Sequence, residues 1–146
     1  MTPLFTHRVT VRFRDCDPMG HVNNAVYLTY LEQARFALWH AQLGFVAKRA
    51  GEPADAHEPG FIMARAEIDF RAQARYLDEL DVRLGLENLG RSSFTYRYEI
   101  ADASNGRIVA EAKTVQVTYD YAAGRSVPIP DDLRLKLAAP ASDSRS

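Results

Sequence analysis

Cysteine is almost missing from this sequence: Cys16 is the single example among 146 residues. One thiol can form neither an intrachain disulfide framework nor a multi-cysteine zinc site. An excess of one charge is missing too, with 18 Lys and Arg against 19 Asp and Glu. Surfaces built for nucleic acid or anionic membranes carry a basic excess, so neither is expected as a partner. No apolar run approaches the ~20 residues of a membrane span. The opening residues, Met1 to His7, lack the basic-then-apolar pattern of a signal peptide, and a cytoplasmic location is expected. Walker-type and dinucleotide-binding glycine loops are absent, so no cofactor is expected. What is present is ordinary: 47% hydrophobic and 25% charged residues, close to the average of globular domains. A chain of this length suggests one domain that buries roughly 70% of its unfolded surface.

The order of elements is more informative. Val9, Val11 and Phe13 alternate with Arg8, Thr10, Arg12 and Arg14, the period-2 pattern of a half-buried strand. From Ala25 to about Arg49 the period becomes helical, with Tyr27, Tyr30, Leu31, Ala34, Leu38 and Ala41 on one face. Phe36, Trp39 and Leu43 widen that face, so the helix calls for a sheet that curls around it. Asn23 or Asn24 can cap its start. Gly44 weakens it and Gly51-Glu52-Pro53 ends it, opening a loop over residues 51–60.

Four further strands are expected. Ile62, Ala64, Ala66, Ile68 and Phe70 form one apolar face, Leu80, Val82, Leu84 and Leu86 the next, and Phe94, Tyr96, Tyr98 and Ile100 a third. Asn105-Gly106 then marks a hairpin into a strand over 107–119. In this last strand the apolar face switches from Ile108/Ala110/Ala112 to Val115/Val117/Tyr119, which predicts a bulge near Lys113–Thr114. Pro130 to Arg134 can start a short helix. The domain is expected to cover residues 1–138, with 139–146 a frayed tail. One long helix with a mostly antiparallel sheet is an α+β domain.

Chemistry concentrates in Asp15-Cys16-Asp17-Pro18-Met19-Gly20-His21-Val22-Asn23-Asn24. Read as an EF-hand loop, it fails at the fifth position, Met19, and at the twelfth, Val26, where a bidentate Glu is required. An Asp-x-Asp phosphotransferase needs a parallel α/β core that this order of elements does not provide. A loop this tight does not readily aim Asp15, Cys16, Asp17 and His21 at one metal, so no metal site is assigned. By spacing alone, Asp, Pro, Gly and Asn are also ordinary turn and cap residues.

The run from Asp15 through Tyr27, continued by Leu31-Glu32 and Ala34-Arg35, resembles the signature of hot-dog-fold thioesterases. The similarity is to the 4-hydroxybenzoyl-CoA thioesterase-like branch. Phe61 to Phe70, Tyr76-Leu77-Asp78-Glu79 and Gly90-Arg91-Ser92-Ser93-Phe94 resemble the middle of the family, and the likeness spans residues 6–137. It implies a hot-dog fold, an antiparallel sheet wrapped around one long helix. It also implies hydrolysis of an acyl-CoA or acyl-carrier-protein thioester to free acid and thiol.

The resemblance assigns roles to residues. Asp17 matches the catalytic carboxylate, and an ionised Asp can act as general base on water or attack directly. The backbone amide of Asn24, at the positive end of the helix, matches the donor that polarises the thioester carbonyl. His21 is a candidate for a direct catalytic part or for orienting Asp17. Gly20 lets the chain pass close to substrate, Asn23 holds the loop, and Tyr27 is core or pocket wall. Arg91, flanked by Ser92 and Ser93, resembles a contact to the nucleotide end of coenzyme A, or else is a solvated turn arginine. Cys16, between two carboxylates that oppose thiolate formation, is not assigned as a nucleophile. Coenzyme A is then part of the substrate. Two alternatives share the fold: a hydratase or dehydratase, whose longer motif is not found, and a non-catalytic acyl-CoA-binding module. Edge strands left uncovered by so small a unit call for a partner, and the resemblance implies a homodimer, assembled further into a homotetramer, with sites at subunit interfaces.

Overall fold

The computed structural model of the chain describes residues 5–45 and 60–141. In chain order the elements are β1 (Phe5–Thr10), α1 (Val26–Leu43), β2 (Gly60–Phe70), β3 (Glu79–Leu89), β4 (Ser93–Asp102), β5 (Ile108–Asp120), β6 (Arg125–Ser126) and α2 (Asp131–Ala138). A three-residue 3-10 turn, Phe13–Asp15, stands between β1 and α1. Every strand pair is antiparallel, in the spatial order β1-β3-β4-β5-β2, and the two-residue β6 pairs with β5. The architecture is the α+β arrangement expected from the periodicities, with α1 packed against one face of the sheet.

The alternation of β3 and β4 builds that face. Leu80, Val82 and Leu84 are buried on β3, and Phe94, Tyr96, Tyr98 and Ile100 on β4. Leu31, Tyr30, Ala34, Leu38 and Trp39 of α1 meet them. Burying a Leu or Ile side chain is worth about 1.5–3 kcal/mol, which exceeds any propensity effect along the helix. Trp39 is tied in both ways. Its ring centroid lies 4.7 Å from that of Phe61, and its indole N–H donates to the Tyr96 hydroxyl at 2.9 Å.

Four expectations are corrected. The first strand ends at Thr10 rather than Arg14, and Phe13 is 78% exposed instead of entering the core. The chain turns there because the Asp15 carboxylate accepts the Arg12 N–H and its guanidinium. Helix α1 stops at Leu43, not Arg49, because Gly44 adopts a left-handed φ of 67° and returns its N–H to the His40 carbonyl. Gly51-Glu52-Pro53 and the loop around them lie outside the described residues, except Gly60, which opens β2.

In β5 the inward face does not switch. The extra residue sits at Val109, opposite the Ile100/Ala101 step of β4, and from Ala110 the inward positions run through Ala112, Thr114, Gln116 and Thr118. Thr114 and Gln116 tolerate that position because their side chains bond one another. Arg35 Nη1 donates to the Tyr98 hydroxyl at 3.2 Å, which lies 2.6 Å from Thr114 Oγ1, and Gln116 Nε2 donates to that same oxygen. Alternation likewise misassigns the start of β2. A register shift between Met63 and Arg65 lets both Phe61 and Ile68 pack on the core. Past α2, Gln42 Nε2 donates to the carbonyls of Leu137 and Ala139, and Ala141 lies against the core.

Candidate active site

The polar loop between β1 and α1 is held by its first carboxylate. Asp15 is only 2% exposed. Its Oδ2 accepts the Arg12 backbone N–H at 3.0 Å and the Tyr30 hydroxyl at 2.8 Å, and its Oδ1 accepts Arg12 Nη2 at 3.0 Å. Burial alone would raise its pKa, but these donors outweigh it and hold the carboxyl below its ordinary range. The same contact and burial push the Tyr30 hydroxyl upward, so it stays a proton donor. The Asp15 carbonyl accepts the Asn23 N–H, and Val22 donates to the Ala74 carbonyl. Cys16 and Val22 form an isolated antiparallel bridge that closes the loop. None of this was legible in the motif, although the Arg12/Asp15 spacing of three was a usable signal.

Asp17 is different. Its side chain is about a quarter exposed, and only Oδ1 is engaged, accepting the Met19 N–H at 2.9 Å. Oδ2 lies 3.9 Å from His21 Nδ1. Between them the chain reverses: the Gly20 N–H reaches the Asp17 carbonyl, and the Asp17 N–H reaches the His21 carbonyl, both at 3.0 Å. Gly20 permits this with a φ of 87°, a left-handed value costly for other residues.

The start of α1 follows directly. Asn23 organises it: its Oδ1 accepts the Ala25 N–H and its carbonyl the Val26 N–H, both at 2.9 Å. The N-cap is Ala25, which has no side-chain cap bond, so in place of the expected cap Asn23 forms a turn two positions before it. The Asn24 N–H is left exposed, with no partner among the described residues. A free amide at the positive end of an 18-residue helix is a donor directed at whatever occupies the loop.

The loop therefore brings Asp17, Gly20 and His21 into contact, and Asn23 and Asn24 follow them into the start of α1. Tyr27 instead is core: it is 2% exposed, and its ring packs edge-on against Tyr30 and Phe70. Arg91 and Ser93 lie elsewhere. They sit where β4 begins, the end of the sheet at which Phe94 and Phe61 meet Trp39 late in α1. The Asp17 loop adjoins the other end, where Tyr27 meets Phe70. β4 has ten residues, which span roughly 30 Å. Arg91 also has its carbonyl occupied by the Ile129 N–H. Cys16 points its thiol at the Arg12 carbonyl, 3.8 Å away. Among the described residues, no three His, Cys, Asp or Glu converge as metal ligands, and no helix is long and apolar enough to cross a membrane. A charged cleft of about 360 Å³ lies on the outer face of the sheet, lined by Glu67, Asp69, Arg97, Glu99, Glu111 and Lys113, apart from the loop.

Comparison with known proteins identifies the family of this fold. The model of the thioesterase-like superfamily matches residues 11–137. The long-chain acyl-CoA thioesterase FadM of Escherichia coli is 29% identical over 130 residues, covering 89% of this chain and 94% of FadM. The E. coli acyl-CoA thioester hydrolase YbgC is 25% identical over 123 residues, with 82% and 84% covered. A Thermus thermophilus thioesterase solved with coenzyme A and zinc superimposes with a TM-score of 0.76 at 34% identity, covering 95% of this chain and all of that one.

Proposed function

This chain belongs to the thioesterase-like superfamily, and we propose that it hydrolyses acyl-CoA with Asp17 as the catalytic carboxylate and the Asn24 amide as the carbonyl-polarising donor. It is a thioester hydrolase of hot-dog fold. The observation that carries the site assignment is the contrast between the two loop carboxylates. Asp15 is buried and saturated with donors, whereas Asp17 Oδ2 accepts no hydrogen bond and the Asn24 amide of the same loop has no partner among the described residues. A thioester carbonyl placed between them would receive a hydrogen bond from the Asn24 N–H as its oxygen gains charge. Asp17 would then deprotonate the attacking water or attack the carbon itself. Collapse of the tetrahedral intermediate expels the coenzyme A thiolate; the water route releases the free acid directly, and the nucleophilic route leaves an Asp17 anhydride that a water molecule then hydrolyses to the free acid. His21, 3.9 Å from Oδ2, orients the carboxylate.

Backbone and side-chain roles separate at Asn24. Asn24→Ala keeps the N–H and is expected to retain activity within about threefold, whereas Asn24→Pro removes it and is expected to lower kcat about a hundredfold. Circular dichroism checks that α1 still forms. Equal losses in the two variants would place the effect in the side chain and refute the amide's role.

The site is completed by a second copy of the chain. Strand β2 has eleven residues at the sheet edge, with little burial along its length. Phe70 and Met63 of β2 are exposed, as are Leu28 and Phe36 of α1. An edge this long and apolar is a ready template for pairing, which supports a homodimer and further assembly to a tetramer. Only a neighbouring subunit can bring the Arg91–Ser93 turn toward Asp17. Light scattering is expected to give at least twice the monomer mass of 16.4 kDa, and a monomer at micromolar concentration would refute it. The lone cysteine, Cys16, is in keeping with a reducing, cytoplasmic setting.

A further inference from the structure

Between helix α1 and the inner face of β4 and β5 lies a buried polar cluster that bond cleavage itself does not use. Its cation is Arg35, which is 5% exposed. Among the described residues, the Arg35 side chain makes one hydrogen bond, from Nη1 to the Tyr98 hydroxyl at 3.2 Å, and no ion pair with a carboxylate. The Tyr98 hydroxyl lies 2.6 Å from Thr114 Oγ1, to which Gln116 Nε2 donates in turn. Two buried oxygens are left with no partner among the described residues: Gln116 Oε1 and, two positions further along β5, Thr118 Oγ1.

Each of these features is costly in a folded chain. A buried guanidinium without a counter-charge gives up its hydration for little return, and buried polar atoms are nearly always paired. A guanidinium carries five N–H donors, and Arg35 spends one of them on a described residue. The cluster also stands in a fixed relation to the catalytic loop. Asn24, Leu28 and Arg35 fall at i, i+4 and i+11, on one face of α1. At 1.5 Å per residue, Arg35 lies roughly 16 Å along the axis from the Asn24 amide. Leu28, between them, is 40% exposed, and Phe70, whose ring meets Tyr27 at the start of the helix, is 46% exposed. The sheet repeats the spacing: Ala110 of β5 pairs with Phe70, and Thr114 and Gln116 follow roughly 13 and 20 Å along the strand. An open apolar face thus runs from the catalytic amide toward a buried, unmatched cation.

We propose that Arg35, Gln116 and Thr118 recognise a carboxylate at the distal end of the acyl chain, so that the substrate is an ω-carboxyacyl thioester. The inference rests on the acyl-CoA thioesterase reading and deepens it by naming the acyl class. With the thioester carbonyl at the Asn24 amide, the methylene chain follows the Leu28 face and its terminal carboxylate meets the guanidinium. An arginine–carboxylate pair is charge-assisted and can be bidentate, and it supplies the counter-charge that Arg35 lacks. The unpaired Thr118 hydroxyl donates to the same group. A half-turn of the Gln116 amide places its NH2 on the carboxylate and its oxygen on the Thr114 hydroxyl, which leaves no orphan acceptor. A methyl terminus satisfies none of these atoms. An extended chain advances about 1.25 Å per carbon, so the span from Asn24 to Arg35 corresponds to about ten to fourteen carbons.

Kinetics on matched pairs of acyl-CoAs test this, each pair sharing a chain length and differing in a methyl or a carboxylate terminus. Wild-type kcat/KM is expected to favour the carboxylate by about tenfold or more, with the largest preference at about ten to fourteen carbons. Arg35→Met should lower kcat/KM on the carboxylate substrate about a hundredfold and change that on its methyl partner less than about threefold. Thr118→Val, a change of nearly equal shape, should lower only the former, about fivefold. Removing a buried charge that has no counter-charge should leave Tm unchanged or raise it. A merely structural Arg35 would instead give a lower Tm and equal losses on both substrates, and that result overturns the proposal. So does the absence of a carboxylate preference at every length in the wild-type protein. Should the Met variant not fold, Thr118→Val decides alone: a loss confined to the carboxylate substrate supports the site, and equal or no losses refute it. If the wild-type protein cleaves neither series, the thioesterase reading fails separately. The Tm shifts given by free dodecanedioate and dodecanoate then decide the site. A larger shift with dodecanedioate that Arg35→Met abolishes supports it, and equal shifts refute it.

Discussion

An Asp17→Asn protein is expected to fold as the wild type does and to hydrolyse acyl-CoA about a thousandfold more slowly in kcat. Asn is the informative replacement because of how Asp17 is held. Its Oδ1 accepts the Met19 N–H and shapes the turn through Gly20. An amide oxygen can accept the same bond, as Asn commonly does in such turns. What is lost is the second oxygen, the one beside His21, and with it the negative charge able to take a proton or attack carbon. Ala would remove both functions and confound loop geometry with chemistry. The measurements are steady-state kcat on short, long and aromatic acyl-CoAs, with Tm recorded alongside. An Asn variant within tenfold of wild type at equal Tm would take Asp17 out of the reaction. Substrate binding without turnover in the wild-type protein would instead favour a non-catalytic acyl-CoA-binding module.

How much of this was legible in the sequence depends on which force sets each feature. β3 and β4 were readable because burial acts on every second residue of a two-sided strand, as at Leu80, Val82, Leu84, Phe94, Tyr96, Tyr98 and Ile100. β5 was misread beyond Ala112 because its inner face carries Thr114, Gln116 and Thr118. Thr114 and Gln116 are buried through side-chain bonds to each other and to Tyr98, which no apolar period records. Phe13 was misplaced for the complementary reason: a hydrogen-bonded turn outcompeted the continuation of an alternating pattern. The end of α1 followed backbone conformation at Gly44 rather than the apolar face. In the loop, the motif separated Asp17 from Asp15 only by resemblance. The physical distinction, one carboxylate saturated with donors and one left free, depends on Tyr30 fifteen residues away and appears only once the chain is folded.

That distinction gives the second large effect. Asp15→Asn is expected to cost roughly 2–3 kcal/mol of stability, because a buried ionised acceptor is replaced by an amide with one oxygen for several donors. For a domain of this size the loss corresponds to a fall of roughly 5–10 °C in Tm. The sign of the pH dependence follows from the direction of the shift. The folded-state pKa of Asp15 lies below its unfolded value of about 3.9. Its contribution is therefore complete above that pH and is lost as pH falls through the lower, folded value. The wild-type advantage over Asp15→Asn should be constant near neutrality and shrink below about pH 4. Differential scanning at several pH values reads both quantities. An unchanged Tm at pH 7 would mean that Arg12 and Tyr30 find other acceptors and that the loop is held elsewhere. The two aspartates should thus dissociate in opposite ways: loss of Asp17 abolishes turnover in a stable fold, and loss of Asp15 loosens the turn that presents Asp17. Turnover by the Asp15→Asn protein should accordingly recover toward wild type on cooling, whereas that of the Asp17→Asn protein should not.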